Sequence, residues 1–131
     1  WAPILCADTT VSLPNNPDGE ILGKPTDAVD AARILNMLSG KVHEVLSSVA
    51  ITAAPNEKPL QLIQVSEVQF ADLTSEQIHS YIASGEPFGK AGAYGIQEWI
   101  GLVGIERING SYTNVVGLPT DRLYEELLKL I

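Results

Sequence analysis

The sequence predicts an α/β fold, with α+β as the close variant, in which helices pack on one mixed, twisted sheet. Strand-like and helix-like patterns follow one another in the order β, α, β, β, α, loop, β, β, α. All three predicted helices carry recognisable capping residues, and no repeat or low-complexity segment interrupts the pattern. With 131 residues, 45% of them hydrophobic and 18% charged, we predict a single domain over residues 1–131.

Composition argues against several classes of protein. The net charge of −8, with eight scattered basic residues, argues against a nucleic-acid groove, because clustered lysine and arginine bind phosphate backbones. The single cysteine excludes an internal disulfide, and the two histidines offer no zinc-ligand spacing. No apolar run approaches the roughly 20 residues of a membrane span, and the start does not resemble a signal peptide. We therefore expect a cytoplasmic protein with no membrane partner.

The first third of the chain predicts a hairpin followed by a helix. Residues 3–13 form an apolar, strand-like run that is interrupted by Asp8. The turn formers of NNPDGE then close a hairpin on the next apolar residues. The helix begins after its N-cap, Asp27, carries an apolar stripe and ends before Gly40.

The rest of the chain predicts four strands and two helices around a glycine-rich loop. Thr74 and Gln77 form a capping box at the start of the second helix. The predicted strands are residues 43–52, residues 60–70, a segment near 99–108 and residues 112–116. The last helix is predicted to begin at its N-cap, Thr120, and to end near residue 130.

Three parts of the sequence carry candidate chemistry. Asp8 lies inside an apolar run, so it is either a solvent-facing strand end or a general base or metal ligand at the sheet edge. Lys24 precedes the Asp27 helix, where a lysine is either solvated or shares an anion with the free N–H groups. Residues 85–97 place four glycines around Lys90, which indicates either a surface loop or backbone that approaches a ligand closely.

Five segments of the sequence together resemble the Maf family of nucleoside triphosphate pyrophosphatases, also known as septum formation inhibitor-like proteins. They are ADTTV, ILGKPTDAVDAARIL, LSGKVHEV, YIASGEPFGKAGAYGIQ and INGSYTNVVGLP, in order over almost the whole chain. The GIQ triplet and the aspartate–threonine pair resemble the branch that acts on dTTP and UTP. The resemblance implies hydrolysis between the α- and β-phosphates to a nucleoside monophosphate and pyrophosphate.

The resemblance also implies roles for five residues. Asp8 of the ADT motif would accept a proton, and Thr9 and Gln97 would select the base. Lys24 of the KP motif and Lys90 of KAGAYG would lie near the triphosphate. A divalent cation, Mg²⁺ or Mn²⁺, is the implied cofactor, although the resemblance assigns it no ligands here. The implied partner is the nucleoside triphosphate, and a homodimer stays open.

The sequence departs from the family pattern at two places. Gly89 stands where many members have an aspartate, whose role Glu86 could take over. The family's initial strand and serine–x–arginine–arginine loop, which grips phosphates, do not occur in this sequence. We therefore expect a chain that corresponds to the C-terminal two thirds of the family fold and has little activity alone.

Two alternative functions follow from these departures. The missing arginine loop favours a non-catalytic nucleotide-binding module, or an interaction module related to cell division. An unrelated phosphatase with Asp8 as its nucleophile is the weaker alternative, because no second aspartate follows at a short spacing. Pyrophosphate release separates the enzyme from the module, and a trapped aspartyl-phosphate would identify the phosphatase.

Overall fold

Five strands and five helices make up the part of the chain that the computed structural model describes, residues 4–14 and 19–129. The strands are β1 (Ile4–Leu13), β2 (Glu20–Leu22), β3 (Val42–Thr52), β4 (Leu60–Phe70) and β5 (Ile105–Asn109). The helices are α1 (Ala28–Leu38), α2 (Ser75–Ala83), α3 (Trp99–Val103), α4 (Tyr112–Val116) and α5 (Thr120–Leu128). A short 3₁₀ turn at Ala91–Ala93 lies in the glycine-rich loop.

The strands form one sheet in the order β2-β1-β3-β4-β5. Every described pairing is antiparallel, which favours the α+β variant of the predicted fold class. Strand β1 pairs with β3 over residues 4–12, whereas β2 pairs only with residues 11–13 of β1. Within the described ranges, residues 4–10 of β1 therefore have an open edge on the side of β2.

The helices bury one face of this sheet. Buried residues of β1, β3 and β4 join the apolar stripes of α1 and α2 in the main core, and a smaller cluster includes Leu123 of α5. Burial alternates along β3, as is typical of an antiparallel sheet that is covered on one face. On the opposite face of β4, Ile63 and Val65 remain 55% and 46% exposed.

The capped helices form where the sequence predicts them. The Asp27 side chain accepts a hydrogen bond from the Asp30 N–H at 2.8 Å, so it is the N-cap of α1. The Thr74 and Gln77 side chains complete the capping box of α2. Strands β1, β3 and β4 also agree with the prediction to within one residue. Residues 15–18 of the predicted hairpin turn at 15–20, and residue 130, near which the last helix is predicted to end, lie outside the described residues; α5 ends at Leu128.

Residues 105–108 of the predicted strand near 99–108 belong to β5, whereas residues 99–103 form the short helix α3. The predicted strand at 112–116 is wrong, because these residues form the short helix α4. The Ser111 side chain accepts the Asn114 N–H at 3.2 Å and caps α4, and Gly117 ends it with φ +138°. These end signals override the strand propensity of the intervening tyrosine, threonine and valines. Thr120 is the first helical residue of α5 rather than its N-cap, a position that Pro119 occupies.

Candidate active site

A pocket of about 180 Å³ opens between β1, β3, the glycine-rich loop and α4. Three residues predicted for the site line it together, namely Thr9 from β1 and Lys90 and Gln97 from the loop. Its apolar walls include Val11, Val45 and Val115. Small-molecule sites usually measure about 300–1,000 Å³, so this pocket fits one part of a nucleotide rather than the whole.

Asp8 and Lys24, the other two predicted site residues, do not line this pocket. Asp8 is exposed, and its carboxylate accepts a hydrogen bond from the Thr9 N–H at 3.0 Å. Successive side chains of a strand point to opposite faces, so Asp8 starts from the face opposite to Thr9. Lys24 is also exposed and follows the end of β2 by two residues. The roles assigned to both residues stay predictions.

Thr9 joins β1 to the end of α4. Its hydroxyl donates to the Gly117 carbonyl oxygen at 3.1 Å and lies 2.9 Å from the Ser47 hydroxyl, from which it can accept. Gly117 and Thr9 both line the pocket, so this hydrogen bond closes one of its corners. Because the Thr9 hydroxyl proton is used inside the protein, the side chain offers a ligand mainly its oxygen lone pairs.

Asn114 fixes α4 to the sheet and was missed by the sequence analysis. The side chain is fully buried, and its amide nitrogen donates to the Val45 carbonyl at 3.1 Å and to the Ser66 hydroxyl at 3.0 Å. These bonds hold α4 against the sheet, and Val115 and Gly117 from the same segment line the pocket. Asn114 lies in the segment INGSYTNVVGLP. The prediction of a strand at residues 112–116 gave no reason to expect a buried asparagine there.

Lys90 belongs to a chain of polar contacts that leads away from the pocket. Its ammonium donates to the Glu86 carbonyl oxygen at 2.6 Å and to the Glu98 carboxylate at 2.8 Å. The Tyr81 hydroxyl donates to the other Glu98 oxygen at 2.7 Å and accepts from the Gly95 N–H at 3.2 Å. Burial, and then the hydrogen bond to Glu98, raise the pKa of the Tyr81 phenol, so it stays protonated as the donor. Sequence reasoning singled out Glu86 but missed Glu98 and Tyr81.

A buried histidine supports the Tyr94 ring, which lines the pocket. His43 Nε2 lies 2.6 Å from the Tyr94 hydroxyl, and the imidazole stacks on Phe70 with ring centroids 5.4 Å apart. Burial lowers the pKa of His43 to about 4, so the imidazole is neutral near pH 7. Burial also raises the pKa of the Tyr94 phenol.

Acid is expected to destabilise the protein through His43. In the unfolded chain the His43 imidazole has its ordinary pKa of 6.5, whereas in the folded protein its pKa is about 4. Between these two pH values the unfolded chain binds more protons than the folded protein, so a fall in pH favours unfolding. Lowering the pH from 7 to 4.5 should therefore cost about 2 kcal/mol of unfolding free energy through this group. His43→Gln should lose less stability over the same interval in denaturant titrations, whereas the exposed control His79→Gln should behave as the parent. Equal pH dependence in all three proteins would show that His43 does not cause it.

Gly92 lets the glycine-rich loop reach β1. Its φ is +72°, and its N–H donates to the Gly23 carbonyl oxygen at 3.1 Å. A Cβ added there would lie 3.0 Å from both γ-carbons of Val11. The absence of a side chain therefore brings the loop against the strand that carries Thr9.

Gly92→Ala is expected to lower the unfolding free energy by about 1–2 kcal/mol, because alanine disfavours the left-handed backbone. Gly23→Ala is the matched control, since Gly23 has no positive φ and a Cβ there would meet no atom within 4 Å. The control should stay within about 0.5 kcal/mol of the parent in chemical denaturation. Equal stabilities for the two variants would contradict this account of the loop.

Two absences limit what the described part of the chain can bind or span. Across residues 4–14 and 19–129, no three histidine, cysteine, aspartate or glutamate side chains cluster in a way that could hold a metal ion. In the same part of the chain, no helix has the length and apolar composition needed to cross a membrane.

Comparisons with known proteins agree on one family. The family model described as Maf-like protein matches residues 1–130. The chain is 48% identical over 127 residues to the dTTP/UTP pyrophosphatase of Phocaeicola vulgatus, which covers 97% of this chain and 63% of that relative. It is 52% identical over 117 residues to the dTTP/UTP pyrophosphatase of Ralstonia nicotianae, covering 89% of this chain and 54% of the relative. The chain thus spans between half and two thirds of the length of these two relatives.

Proposed function

Because the chain belongs to the Maf-like protein family, we propose that the protein is a nucleoside triphosphate pyrophosphatase that acts on dTTP and UTP. The observation that carries the proposal is the pocket in which Thr9, Lys90 and Gln97 come together. The name of both relatives, dTTP/UTP pyrophosphatase, supports the same substrates. The reaction yields a nucleoside monophosphate and pyrophosphate.

Gln97 is the residue proposed to read the pyrimidine. Its amide presents one acceptor and one donor group, which match the N3–H and O4 of uracil or thymine. Cytosine presents the reverse pattern at these two positions, so the proposal requires the bound amide to be held in one orientation, in which cytosine would leave it poorly paired. The apolar side chains of Val11, Val45 and Val115 support this assignment, because they suit the faces of a flat base.

We propose that the triphosphate of the bound nucleotide extends from the pocket along the open edge of β1. Lys90 lines the pocket, and Lys24 follows β2, whose pairing with β1 stops at Val11; both are proposed to contact a triphosphate that takes this path. Asp8 lies among residues 4–10 of β1, which form this open edge. In the proposed reaction Asp8 accepts a proton from a water molecule. The water oxygen bonds to the α-phosphorus, and the bond from that phosphorus to the pyrophosphate oxygen breaks.

A divalent cation is proposed as the cofactor. A triphosphate carries about four negative charges, and the protein itself has a net charge of −8. Magnesium in phosphate sites is commonly bound by one or two carboxylates together with substrate oxygens. Asp8 is an exposed carboxylate in the stretch of β1 that has the open edge. When bound, the cation would offset phosphate charge.

We also propose a cytoplasmic location and no nucleic-acid partner, and sedimentation would show whether the protein forms a homodimer.

Pyrophosphate release from dTTP and UTP tests the proposed function. Because the chain spans only part of its relatives, the assay uses two proteins. One is the chain itself, and the other is a hybrid that joins to it the part of the Phocaeicola vulgatus relative that it does not match. We expect monophosphate and pyrophosphate in equal amounts, and loss of both with excess EDTA. Release of inorganic phosphate and a diphosphate instead, or nucleotide binding without hydrolysis in both proteins, would contradict the proposal.

A further inference from the structure

The position of Lys90 is set by two contacts inside the protein. A lysine ammonium has three N–H donors, and here two of them are taken by the Glu86 carbonyl and the Glu98 carboxylate. The third donor is left for a ligand, and Lys90 lines the pocket. We propose that Glu98 is a positioning residue that holds the Lys90 ammonium so that this remaining N–H meets an anionic group of the nucleotide. The inference rests on the proposed function and adds a residue to it.

Glu98 is itself held firmly. Its side chain is only 14% exposed, and the hydroxyl of the buried Tyr81 donates to it at 2.7 Å. A Cβ added at Gly95 would lie 2.7 Å from the same carboxylate oxygen, so the carboxylate packs directly against the Gly95 backbone. Contacts from α2 and from the loop thus fix one end of the Lys90–Glu98 pair.

The charge of Glu98 has two opposing effects on an anionic ligand. A carboxylate 2.8 Å from the Lys90 ammonium offsets part of the attraction between that ammonium and a triphosphate. The same carboxylate orients the ammonium, and orientation contributes to turnover more than to ground-state binding. Glu98 does not line the pocket, so its orienting effect on the ligand passes through Lys90. Removal of the carboxylate is therefore expected to tighten binding and to slow turnover.

The binding part of this prediction is tested on the chain itself by calorimetric titration with dTTP and Mg²⁺. Glu98→Ala should bind dTTP about threefold more tightly than the parent. In a Lys90→Ala background, adding Glu98→Ala should still tighten binding, because the repulsion between the carboxylate and the triphosphate does not need the ammonium, but it should leave kcat unchanged, because the orienting effect does need it. Glu126→Gln is the matched control, since its 3.1 Å pair with Lys129 lies on α5, away from the pocket.

The turnover part is measured on whichever of the chain and the hybrid is active. Glu98→Ala should lower kcat about tenfold without raising KM. Tyr81→Phe, which removes only the hydroxyl that supports Glu98, should change kcat in the same direction by a smaller factor. A fall in kcat with a rise in KM, unchanged kcat and binding, or an equal fall in kcat with and without Lys90 would each overturn the inference. Failure of both the chain and the hybrid to bind dTTP would overturn both this inference and the proposed function, whereas binding that Glu98→Ala leaves unchanged would overturn the inference alone.

Discussion

Replacing Asp8 with asparagine is expected to lower kcat for pyrophosphate release by about 10²-fold or more. Asparagine is nearly isosteric with aspartate but cannot accept the proton of the attacking water. The fold should be unaffected, because Asp8 is exposed and its contact with the Thr9 N–H needs only an oxygen acceptor, which asparagine retains. The measurement is steady-state turnover of dTTP, with circular dichroism and thermal unfolding to confirm that the fold is intact.

The matched control for Asp8→Asn is Asp72→Asn, which changes another exposed aspartate that does not line the pocket. Its turnover should equal that of the parent. Thr9 lines the pocket, whereas the Asp8 side chain starts from the opposite face of the sheet. The turnover of Asp8→Asn therefore tests whether the α-phosphate reaches the edge of β1. Near-parental turnover in Asp8→Asn would remove Asp8 from the chemistry, and the proposed path of the phosphates along the open edge of β1 would lose its main support.

Replacing Gln97 with alanine is expected to reduce discrimination between UTP and CTP by about 1–3 kcal/mol, or about 5- to 150-fold in the ratio of kcat/KM. The paired hydrogen bonds to the uracil edge would be lost, whereas cytosine loses little. The side chain is exposed at the pocket, so the substitution should cost little stability.

Gln97→Glu is the sharper companion variant. A carboxylate only accepts hydrogen bonds, so it would face the O4 of uracil unfavourably and could accept from the N4 amino group of cytosine. The preference should therefore move further toward CTP in Gln97→Glu than in Gln97→Ala. An unchanged UTP to CTP ratio in both variants would show that Gln97 does not read the base.

Local signals in the sequence were sufficient for most of the fold. Asp27 and the pair Thr74 and Gln77 make their capping bonds as predicted, because such contacts involve residues three apart and need no tertiary context. The short helices α3 and α4 were misread because five residues carry too little periodicity to outweigh strand-favouring side chains. For α4, the decisive features were Ser111 and Gly117 at its two ends.

The candidate site was only partly predictable, for a different reason. Thr9, Lys90 and Gln97 were singled out from motifs, and the fold brings them to one pocket. The contacts that support this pocket are tertiary, and no local pattern predicts them. Glu98 contacts Tyr81, which lies 17 residues away in the chain, and Asn114 contacts Val45, 69 residues away.

A structure of the protein bound to a dTTP analogue with a non-hydrolysable α,β-bridge tests the central claim most directly. The account predicts that the thymine lies in the pocket with its O4 and N3–H within hydrogen-bond distance of the Gln97 amide. It also predicts a phosphate oxygen within reach of Lys90 Nζ, and an α-phosphate beside the edge of β1 that carries Asp8. A base bound outside this pocket, or phosphates that occupy the pocket while the base faces solvent, would contradict it.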